Sequence, residues 1–386
     1  MSSQPASGPS GRNRATLLAA LRAAGESTRA DLAESTGLSV ATISRAANAL
    51  IAAGLIVQES EAGPGRGRPL GRLRIDKHAA CVLAVDVADR HTTLAFVDLD
   101  GTVMSSDRLD TPPTDPRERL QHTLEAIVAH CDSDAPTRGP IAVGVSVPGP
   151  VRADGSIPLA PALQWQDVPL RQLLEGRLNV PVAVGNDANL IAVAESRFGD
   201  YRDVASLFAL AVFEGVGSGV VEGGTLVEGS RGFAGQFGRM FVSFDSQERL
   251  LDEFGDLESQ LGSKGLARRA ADAGVQLPSD REVFEALFAQ IRDDSPAGAL
   301  GRKVLDEFAV ALANVCALLD PEAIVLAGRF APLTDVVAPE LERRLRGRVL
   351  HIPRLVPTST GVDAALLGAA AIALDAFGSL EQLLRD

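Results

Sequence analysis

Cysteine, tryptophan and tyrosine are scarce in this chain of 386 residues, which contains three, one and one of them. Cys81, Cys131 and Cys316 lie far apart, so the sequence offers neither a disulfide framework nor a cysteine-based metal motif. No run of about 18 apolar residues is present, and the first residues lack the apolar stretch of a secretory signal. We therefore expect a cytoplasmic protein with reduced, buried thiols, no membrane partner and no cofactor.

Basic residues are fewer than acidic ones, 37 against 50, but they are unevenly placed. Residues 1–78 carry ten basic and six acidic side chains, a net charge of +4, and the remainder carries −17. This asymmetry favours a small nucleic-acid-binding module joined to a large acidic body. The length of the chain predicts two or three domains.

Helix signals follow one another closely near the N-terminus. Leu17, Leu18 and Leu21 predict a helix that ends at Gly25. Next, Thr28 is expected to cap a helix to about Thr36, with Gly37 as its C-cap. Ser39 is expected to cap a second helix, whose apolar face we predict from this set: Val40, Ile43, Ala47, Leu50 and Ile51. The spacing predicts a helix-turn-helix. An ordinary helical hairpin is the alternative.

The polar side of the second helix suits close entry into a DNA groove. Its candidate DNA-binding residues are small or hydroxylated apart from one arginine, and they are Ser39, Ala41, Thr42, Ser44 and Arg45. No acidic residue occurs between Glu34 and Glu59, as expected of a surface that faces phosphates. A solvated helix face is the alternative.

A cationic ribbon follows at residues 62–74, with the sequence AGPGRGRPLGRLR. The flanking stretches GLIVQES and RLRID predict the two strands of a β-hairpin wing. At its tip, Arg66 and Arg68 are candidates to enter the minor groove or to bind phosphates. The same segment also suits a flexible basic linker.

From residue 80 onward, a three-strand meander followed by alternating strands and helices occurs twice. The pattern predicts two similar α/β lobes with a cleft between them. The second series includes a strand predicted over RVLHIPRLVP, residues 348–357.

In combination, these features resemble the ROK family of transcriptional regulators. The resemblance covers about residues 14–375 and is carried by these stretches: TGLSVATISRAANALIAAGLI, GRGRP, VGVSVPGPV, LQWQDVPL, VGNDANLIAVAESRFG, GSRGFAGQFGRM, GDLE and DPEAIVLAG. It implies an α/β fold, in which an N-terminal winged helix-turn-helix precedes a two-lobed actin/hexokinase-like (ribonuclease H-like) ROK domain.

The domain boundaries expected on this basis divide the chain into four parts. Residues 1–13 form a disordered tail, 14–78 the winged domain, 79–203 the first lobe and 204–386 the second. The C-terminal helix is expected to be able to pack back on the first lobe.

ROK kinases carry two glycine-rich phosphate turns, and this chain departs from both. D-x-G-G-T is replaced by DVADR at residues 86–90, and G-T-G-x-G by FEGVG at residues 213–217. Ala88, Asp89, Phe213 and Glu214 put side chains and two negative charges where phosphate would bind. Ala327 also replaces a glycine near the implied adenosine site. We therefore expect no kinase activity.

The sugar side of the family pattern is better kept. By resemblance, the effector-binding candidates are Asn186, Asp187, Gln236, Arg239 and Glu258. Asn186 and Asp187 could instead merely cap a helix. Arg239 replaces a histidine and could neutralise a nearby carboxylate or bind an anionic ligand.

The zinc cysteines of the family are replaced by Arg249, Leu251 and Asp256, so we expect no metal. His78, His91 and His351 are expected at the surface. Trp165 could stack on a sugar or anchor a loop.

The function we predict is a DNA-binding transcriptional regulator, a repressor, whose ROK body senses a sugar or sugar-derived effector. We expect a homodimer or tetramer on a double-stranded operator with pseudo-palindromic half-sites. Two alternatives stay open: a carbohydrate kinase with an accessory DNA-binding module, and a regulator whose body serves only for oligomerisation.

Overall fold

The N-terminal part of the chain consists of helices packed on a three-stranded antiparallel sheet. The computed structural model describes residues 9–60, 71–110, 115–133, 135–137, 139–241, 255–279 and 282–378. The elements of this domain are α1 (Pro9–Ala24), β1 (Glu26–Thr28), α2 (Arg29–Thr36), α3 (Val40–Ala52), β2 (Ile56–Ser60) and β3 (Gly71–Ile75). Strand β3 lies between β1 and β2 and pairs with both. The hairpin tip, with Arg66 and Arg68, lies outside the described residues.

The helix-turn-helix has the caps that the sequence predicts. The Thr28 hydroxyl accepts a 3.2 Å hydrogen bond from the amide of Asp31, and the Ser39 hydroxyl accepts one of 3.2 Å from the amide of Thr42. Gly37 ends α2 with a φ of 69°, a left-handed conformation that glycine adopts without strain. These contacts set α2 against α3 and confirm the predicted motif.

Two expectations for this domain are wrong. Helix α1 begins at Pro9, so the tail expected to be disordered through residue 13 is helical over residues 9–13. Proline is well suited to the first turn of a helix, where its missing amide hydrogen has no partner to lose. Val40 is 53% exposed because it stands at the first position of α3, beyond the core, and Ala46 is buried in addition to the predicted residues.

The first half of the body contains a mixed five-stranded sheet. Its elements are β4 (Cys81–Val87), β5 (His91–Asp98), β6 (Val103–Asp110), α4 (Pro116–Cys131), β7 (Pro140–Val147), β8 (Ile157–Ala160), β9 (Trp165–Val168), α5 (Leu170–Glu175), β10 (Val182–Asn186) and α6 (Asp187–Arg197). The strand order is β10-β7-β4-β5-β6, with β8 and β9 forming a separate hairpin. Strands β7 and β10 run parallel, so α6 begins at the carboxyl edge of the sheet.

The second half repeats this arrangement. Its elements are β11 (Ser206–Val212), β12 (Val216–Glu222), β13 (Thr225–Leu226), α7 (Asp256–Leu261), α8 (Ser263–Asp272), α9 (Val283–Ala289), α10 (Pro296–Leu319), β14 (Ala323–Gly328), α11 (Thr334–Leu345), β15 (Arg354–Pro357) and α12 (Ala364–Phe377). The strand order is β13-β12-β11-β14-β15. Both sheets therefore place a meander beside two parallel strands, which confirms the predicted duplication.

The last strand is shorter than predicted and spans only Arg354–Pro357. The amides of Arg348 and Val349 instead bond to the carbonyl of Leu345, at 2.9 and 3.3 Å, and continue the turn that ends α11. Pro353 has no amide hydrogen to donate to a ladder. The strand therefore begins only after this proline.

Helix α12 packs on the first sheet and on α6. Two glycines allow the close approach. A methyl group on Gly144 of β7 would lie 1.9 Å from the carbonyl oxygen of Ala369, and one on Gly368 would lie 2.0 Å from that of Leu190 in α6. The C-terminal helix is thus held against α6, the helix that begins at the candidate effector site. Within the part of the chain that the structure describes, no helix is long and apolar enough to cross a membrane.

Candidate DNA and effector sites

The polar side of α3 is open to solvent. Ser39, Ala41 and Arg45 are exposed, and Thr42 and Ser44 are half-buried. The opposite side packs into the domain core, so the five candidate residues share the outward face of the helix. Arg45 is held along the helix by a 3.3 Å hydrogen bond from Nε to the carbonyl oxygen of Ala41.

Two further residues belong to this surface. Arg29, the first residue of α2, donates a 3.4 Å hydrogen bond from Nη2 to Oδ1 of Asn48 in α3. Asn48 is exposed and Arg29 half-buried. Arg29 was missed among the candidates, although an arginine directly after the predicted cap Thr28 signals a cation at the start of the first helix.

Asn186 and Asp187 occupy the junction between β10 and α6. Asn186 Oδ1 accepts a hydrogen bond from the amide of Asn189 at 3.1 Å, which is the predicted helix cap. Its Nδ2 donates to the carbonyl of Gly149 and to Asp187 Oδ1, both at 2.9 Å. Asp187 Oδ1 also accepts from the amide of Ala188 at 2.8 Å. Asn186 therefore caps the helix and orients the carboxylate of Asp187.

Three carboxyl groups influence one another at this junction. Burial raises the pKa of Asp187 to about 7, and the charges of Asp86 and Glu258 contribute to the shift. The pKa of Asp86 is raised by burial, against a hydrogen bond from Ser146. The pKa of Glu258 is also raised by burial. The site therefore retains protons more readily than isolated carboxylates would.

Glu258 is brought to the site by the start of α7. Its Oε1 accepts a 3.3 Å hydrogen bond from the amide of Val216, and a methyl group on Gly215 would lie 2.0 Å from the same oxygen. The positive charge of Arg239 lowers the pKa of Glu258 and so opposes the effect of burial. Arg239 is exposed, and Gln236 is half-buried at the start of the same 3₁₀ turn.

The first phosphate turn is tied to α4. Arg119, which is buried, donates from Nη2 to the carbonyl oxygens of Ala88 and Asp89, the former at 2.9 Å. The amide of Ala88 is used within the hairpin, where it bonds to the carbonyl of His91 at 3.0 Å. The side chain of Asp89 is 47% exposed. The amide of Ala88 is therefore not available to a ligand, and the turn presents the carboxylate of Asp89, 3.8 Å from Nε of Arg90.

The second phosphate turn is covered by side chains and by α8. Phe213 is 43% exposed, and a methyl group on Gly328 would lie 3.0 Å from its ring. Ser263 donates from its hydroxyl to the carbonyl of Phe213 at 2.9 Å and from its amide to that of Glu214 at 3.1 Å. The turn is thus fixed with an aromatic ring beside the end of β14.

Comparison with known proteins identifies both parts of the chain. The ROK family matches residues 82–376, and the MarR family matches residues 8–67. The chain belongs to the ROK family. A MarR-type winged domain ahead of a ROK body makes it a DNA-binding transcriptional regulator.

Its relatives include both regulators and kinases. The xylose repressor of Bacillus subtilis is 25% identical over 355 residues, covering 90% of this chain and 91% of the repressor. The glucokinase of Streptomyces coelicolor is 25% identical over 315 residues, covering 75% of this chain and 96% of the kinase. A ROK family transcriptional regulator, a homologue of the Escherichia coli MLC protein, shares the fold. Its TM-score is 0.80 at 22% identity, over 97% of this chain and 98% of that one.

The region of the ROK zinc pattern is described only in part. Arg249 and Leu251 lie outside the described residues. Asp256 is buried at the first position of α7, where its Oδ1 accepts a 3.0 Å hydrogen bond from Gln260. No group of three or more histidine, cysteine or acidic side chains that could hold a metal occurs among the residues that the structure describes.

The tryptophan, two of the histidines and one of the cysteines considered in the sequence analysis can be placed in the ROK body. Trp165 is only 2% exposed and packs in the core of the first half, so it anchors the β8–β9 hairpin. His351 is exposed, whereas His91 is half-buried and contacts Arg108 at 2.9 Å. Cys131 is only half-buried, contrary to expectation, because it ends α4.

Proposed function

We propose that this chain is a transcriptional repressor that binds operator DNA through the outward face of α3. The observation that carries the proposal is this face itself, which presents Ser39, Ala41 and Arg45 to solvent in a stretch without acidic residues. Thr42 and Ser44 border it. Small side chains allow a helix to lie deep in the major groove, and the arginine can bond to guanine. Arg66 and Arg68 in the wing add contacts to phosphates or to the minor groove.

We further propose that the ROK body binds a neutral sugar and leaves it unphosphorylated. Asp187 and Glu258 would accept hydrogen bonds from hydroxyl groups, with Asn186 and Gln236 beside them. An anionic sugar derivative is disfavoured because the charges of Asp86 and Glu258 already oppose the ionisation of Asp187, and a further negative charge would add to this repulsion. Arg239 serves to balance the charge of Glu258.

The absence of phosphoryl transfer is part of the proposal. Asp89 and Glu214 occupy the two turns that would hold the phosphates, and each carboxylate about 4 Å from a phosphate oxygen would repel it by about 1–4 kcal/mol. Arg119 and Ser263 hold these turns by their carbonyl oxygens. Both supports therefore oppose nucleotide binding.

The ROK body would control DNA binding by forming a symmetric dimer and by changing the arrangement of its two lobes. We propose a dimer on half-sites one or two helical turns apart, with residues 79–203 and 204–386 as the two lobes. A sugar that favours one lobe arrangement would change the spacing of the winged domains and with it the affinity for the operator.

Selection of genomic fragments by the full-length protein tests DNA binding. We expect enrichment of a pseudo-palindromic sequence and, for Arg45→Ala, an affinity lowered by about 1–3 kcal/mol with relaxed sequence preference. Arg177→Ala is the matched control, because Arg177 is an exposed arginine of the ROK body, just after the end of α5. Failure to enrich any sequence would refute the proposal.

A thermal-shift panel tests the sensor. We expect stabilisation by one or more neutral sugars and none by the corresponding sugar phosphates or sugar acids. The effect should be lost in Asp187→Asn. A panel without any response would instead support a body that serves only for oligomerisation.

A carbohydrate kinase with a DNA-binding module is the second candidate function. It is favoured by one observation, the pKa of about 7 for Asp187, which would suit a general base for a sugar hydroxyl. A radioactive phosphate-transfer assay over the same sugars decides between the two. Turnover that disappears in Asp187→Asn would establish the kinase.

A further inference from the structure

The DNA-binding domain contacts the ROK body through the linker after β3. The carbonyl of Lys77 accepts a 3.1 Å hydrogen bond from the amide of Leu99, in the turn between β5 and β6. The buried carboxylate of Asp98 lies 3.9 Å from Lys77 Nζ and 3.6 Å from His78 Nδ1. These contacts position the linker on the ROK body. They do not involve helices α1 to α3 of the winged domain.

A second connection is made at Asp375 in α12. Arg197, the last residue of α6, donates from Nη1 to Asp375 Oδ1 at 2.5 Å and to the carbonyl of Ala371 at 3.1 Å. Arg22, in the last turn of α1, approaches the same Oδ1 with Nη2 at 3.8 Å. One carboxylate oxygen therefore faces two guanidinium groups, one from each domain.

The two arginines compete for this oxygen. The pKa of Arg22 is lowered by burial and by the charge of Arg197, whereas Asp375 raises it. Arg22 is thus held near a like charge by the carboxylate between them. The positive charge of the arginine that lies closer to Asp375 repels the other arginine and so offsets part of that arginine's attraction to the carboxylate.

The two domains enclose a cavity beside this contact. A cavity of about 180 Å³ separates the two domains, with walls formed by Leu21 and Ile75 on one side and by Leu99, Leu374 and Phe377 on the other. Arg22 also lines this cavity, so its side chain approaches Asp375 beside a space that the two domains do not fill.

Helix α6 links this joint to the candidate effector site. It spans Asp187 to Arg197, so Asp187 stands at its first position and Arg197 at its last. Gly368 brings α12 against the Leu190 carbonyl near the start of α6, so a rotation of α6 about this contact would move Arg197, at its far end, relative to Asp375 of α12.

We propose that Asp375 is a shared counter-ion through which α6 controls how firmly α1 is held on the ROK body. In this structure Arg197 contacts the carboxylate at 2.5 Å and so weakens the hold on Arg22; a shift of Arg197 away from Asp375 strengthens the contact of Arg22. This regulation rests on the proposed function of the Asp187 site, but the joint itself can be tested without ligand or DNA.

Hydrogen exchange of the full-length protein, followed by mass spectrometry, provides the test. Asp375→Asn leaves the two arginines facing each other, so the amides of α1 should exchange about two- to fivefold faster. Arg197→Gln keeps a donor for the Ala371 carbonyl but removes the competing charge, so α1 should exchange more slowly. Opposite signs are the diagnostic result, because general destabilisation would accelerate exchange in both variants.

Asp306→Asn is the matched control. Asp306 is an exposed aspartate paired with Arg344 at 2.6 Å, within the body and between α10 and α11. In the Asp306→Asn variant, the amides of α1 should exchange at the same rates as in the wild type. Changes of the same sign in Asp375→Asn and Arg197→Gln, or no change in either, would overturn the proposal.

Operator binding separates this inference from the proposed function. On a fragment selected by the wild type, Asp375→Asn and Arg197→Gln should shift Kd in opposite directions. If the wild type selects no DNA, the repressor function fails while the exchange experiment still decides on the joint. If DNA binds but α1 does not respond with opposite signs, only the joint fails.

Discussion

Arg119 donates a 2.9 Å hydrogen bond from Nη2 to the carbonyl oxygen of Ala88. This contact turns the first hairpin of the ROK body into a capped structural turn, since the amide of Ala88 is also used, by His91. A phosphate-binding turn needs unpaired amides that point at the ligand. Arg119 therefore stabilises the turn conformation that presents Asp89, at the position where we propose that a ROK kinase would contact phosphate.

Removing the intruding side chains should recover nucleotide affinity. We expect the triple variant Asp89→Gly, Phe213→Gly and Glu214→Thr to bind magnesium AMPPNP about tenfold more tightly for each carboxylate removed, because each repels phosphate by about 1–4 kcal/mol. Isothermal titration calorimetry measures the difference. Glu222→Thr, at the exposed far end of β12, should leave binding as weak as in the wild type. Equal affinity in the wild type and the triple variant would contradict this account of the turns.

The buried carboxyl of Asp187 makes stability depend on pH. Its pKa of about 7 in the folded chain lies above the ordinary value of 3.8, so the folded state holds this proton more tightly than the unfolded state. The free energy of unfolding should therefore fall as pH rises from about 4 to about 7. Asp187→Asn keeps an oxygen for the amide of Ala188 and cannot ionise. It should stabilise the protein by about 1–3 kcal/mol at pH 8 and by less at pH 5.

Thermal unfolding at pH 5 and pH 8 measures this difference. Asp154→Asn is a control of opposite sign, since hydrogen bonds from Ser156 lower the pKa of Asp154. That variant should give no gain at pH 8. A gain for Asp187→Asn that is equal at both pH values would show that the carboxyl does not titrate in this range.

The sequence predicted those parts of the molecule that depend on local chemistry. Thr28, Gly37 and Ser39 each act within one helical turn, so their residue types announce the ends of α2 and α3. The order of apolar strands likewise indicated the duplicated body. Val40 was placed wrongly because periodicity assigns a residue to a helix face but does not say where along the axis the core ends.

Contacts between distant segments gave no such signal. Arg119 reads as a polar position of an amphipathic helix, and only the packing of α4 brings its guanidinium to the first hairpin. Arg22 and Asp375 come from opposite ends of the chain. Their meeting depends on how the winged domain and α12 lie on the first sheet, which no local pattern encodes.

The wing can be tested through the salt dependence of operator binding. Arg66→Ala combined with Arg68→Ala should reduce the slope of log K against log salt by about 2, because each arginine that neutralises a phosphate releases about one counterion. Fluorescence anisotropy at several salt concentrations gives the slope. The control variant, Arg343→Ala with Arg346→Ala, removes the same charge from the last turn of α11 and the residue that follows it. It should leave the slope unchanged. An unchanged slope in the first variant would mean that the ribbon is only a linker.

A buried carboxylate in the second half of α6 binds the segment that follows β15. Glu195 is fully buried and accepts hydrogen bonds from the segment that follows β15. The donors are the amides of Ser359 and Thr360, each at 2.9 Å, and the hydroxyls of Thr358, Ser359 and Thr360. The amides of Ser359 and Thr360 and the hydroxyl of Ser359 would lose this acceptor if the carboxylate were removed, whereas the hydroxyls of Thr358 and Thr360 also contact each other at 3.3 Å.

Glu195→Ala should therefore destabilise the body by about 2–4 kcal/mol, since it removes a fully buried acceptor from several donors that are themselves exposed or half-buried. Glu195→Gln should cost less, about 1–2 kcal/mol, because its amide oxygen still accepts from Ser359 and Thr360 while Ser359 Oγ can turn to accept from the new amide. Urea denaturation followed by circular dichroism measures both values. Glu222→Ala on the exposed end of β12 should stay within about 0.5 kcal/mol of the wild type. A similarly small change for Glu195→Ala would mean that water replaces the carboxylate, and that the hydrogen bonds to residues 358–360 do not stabilise the body.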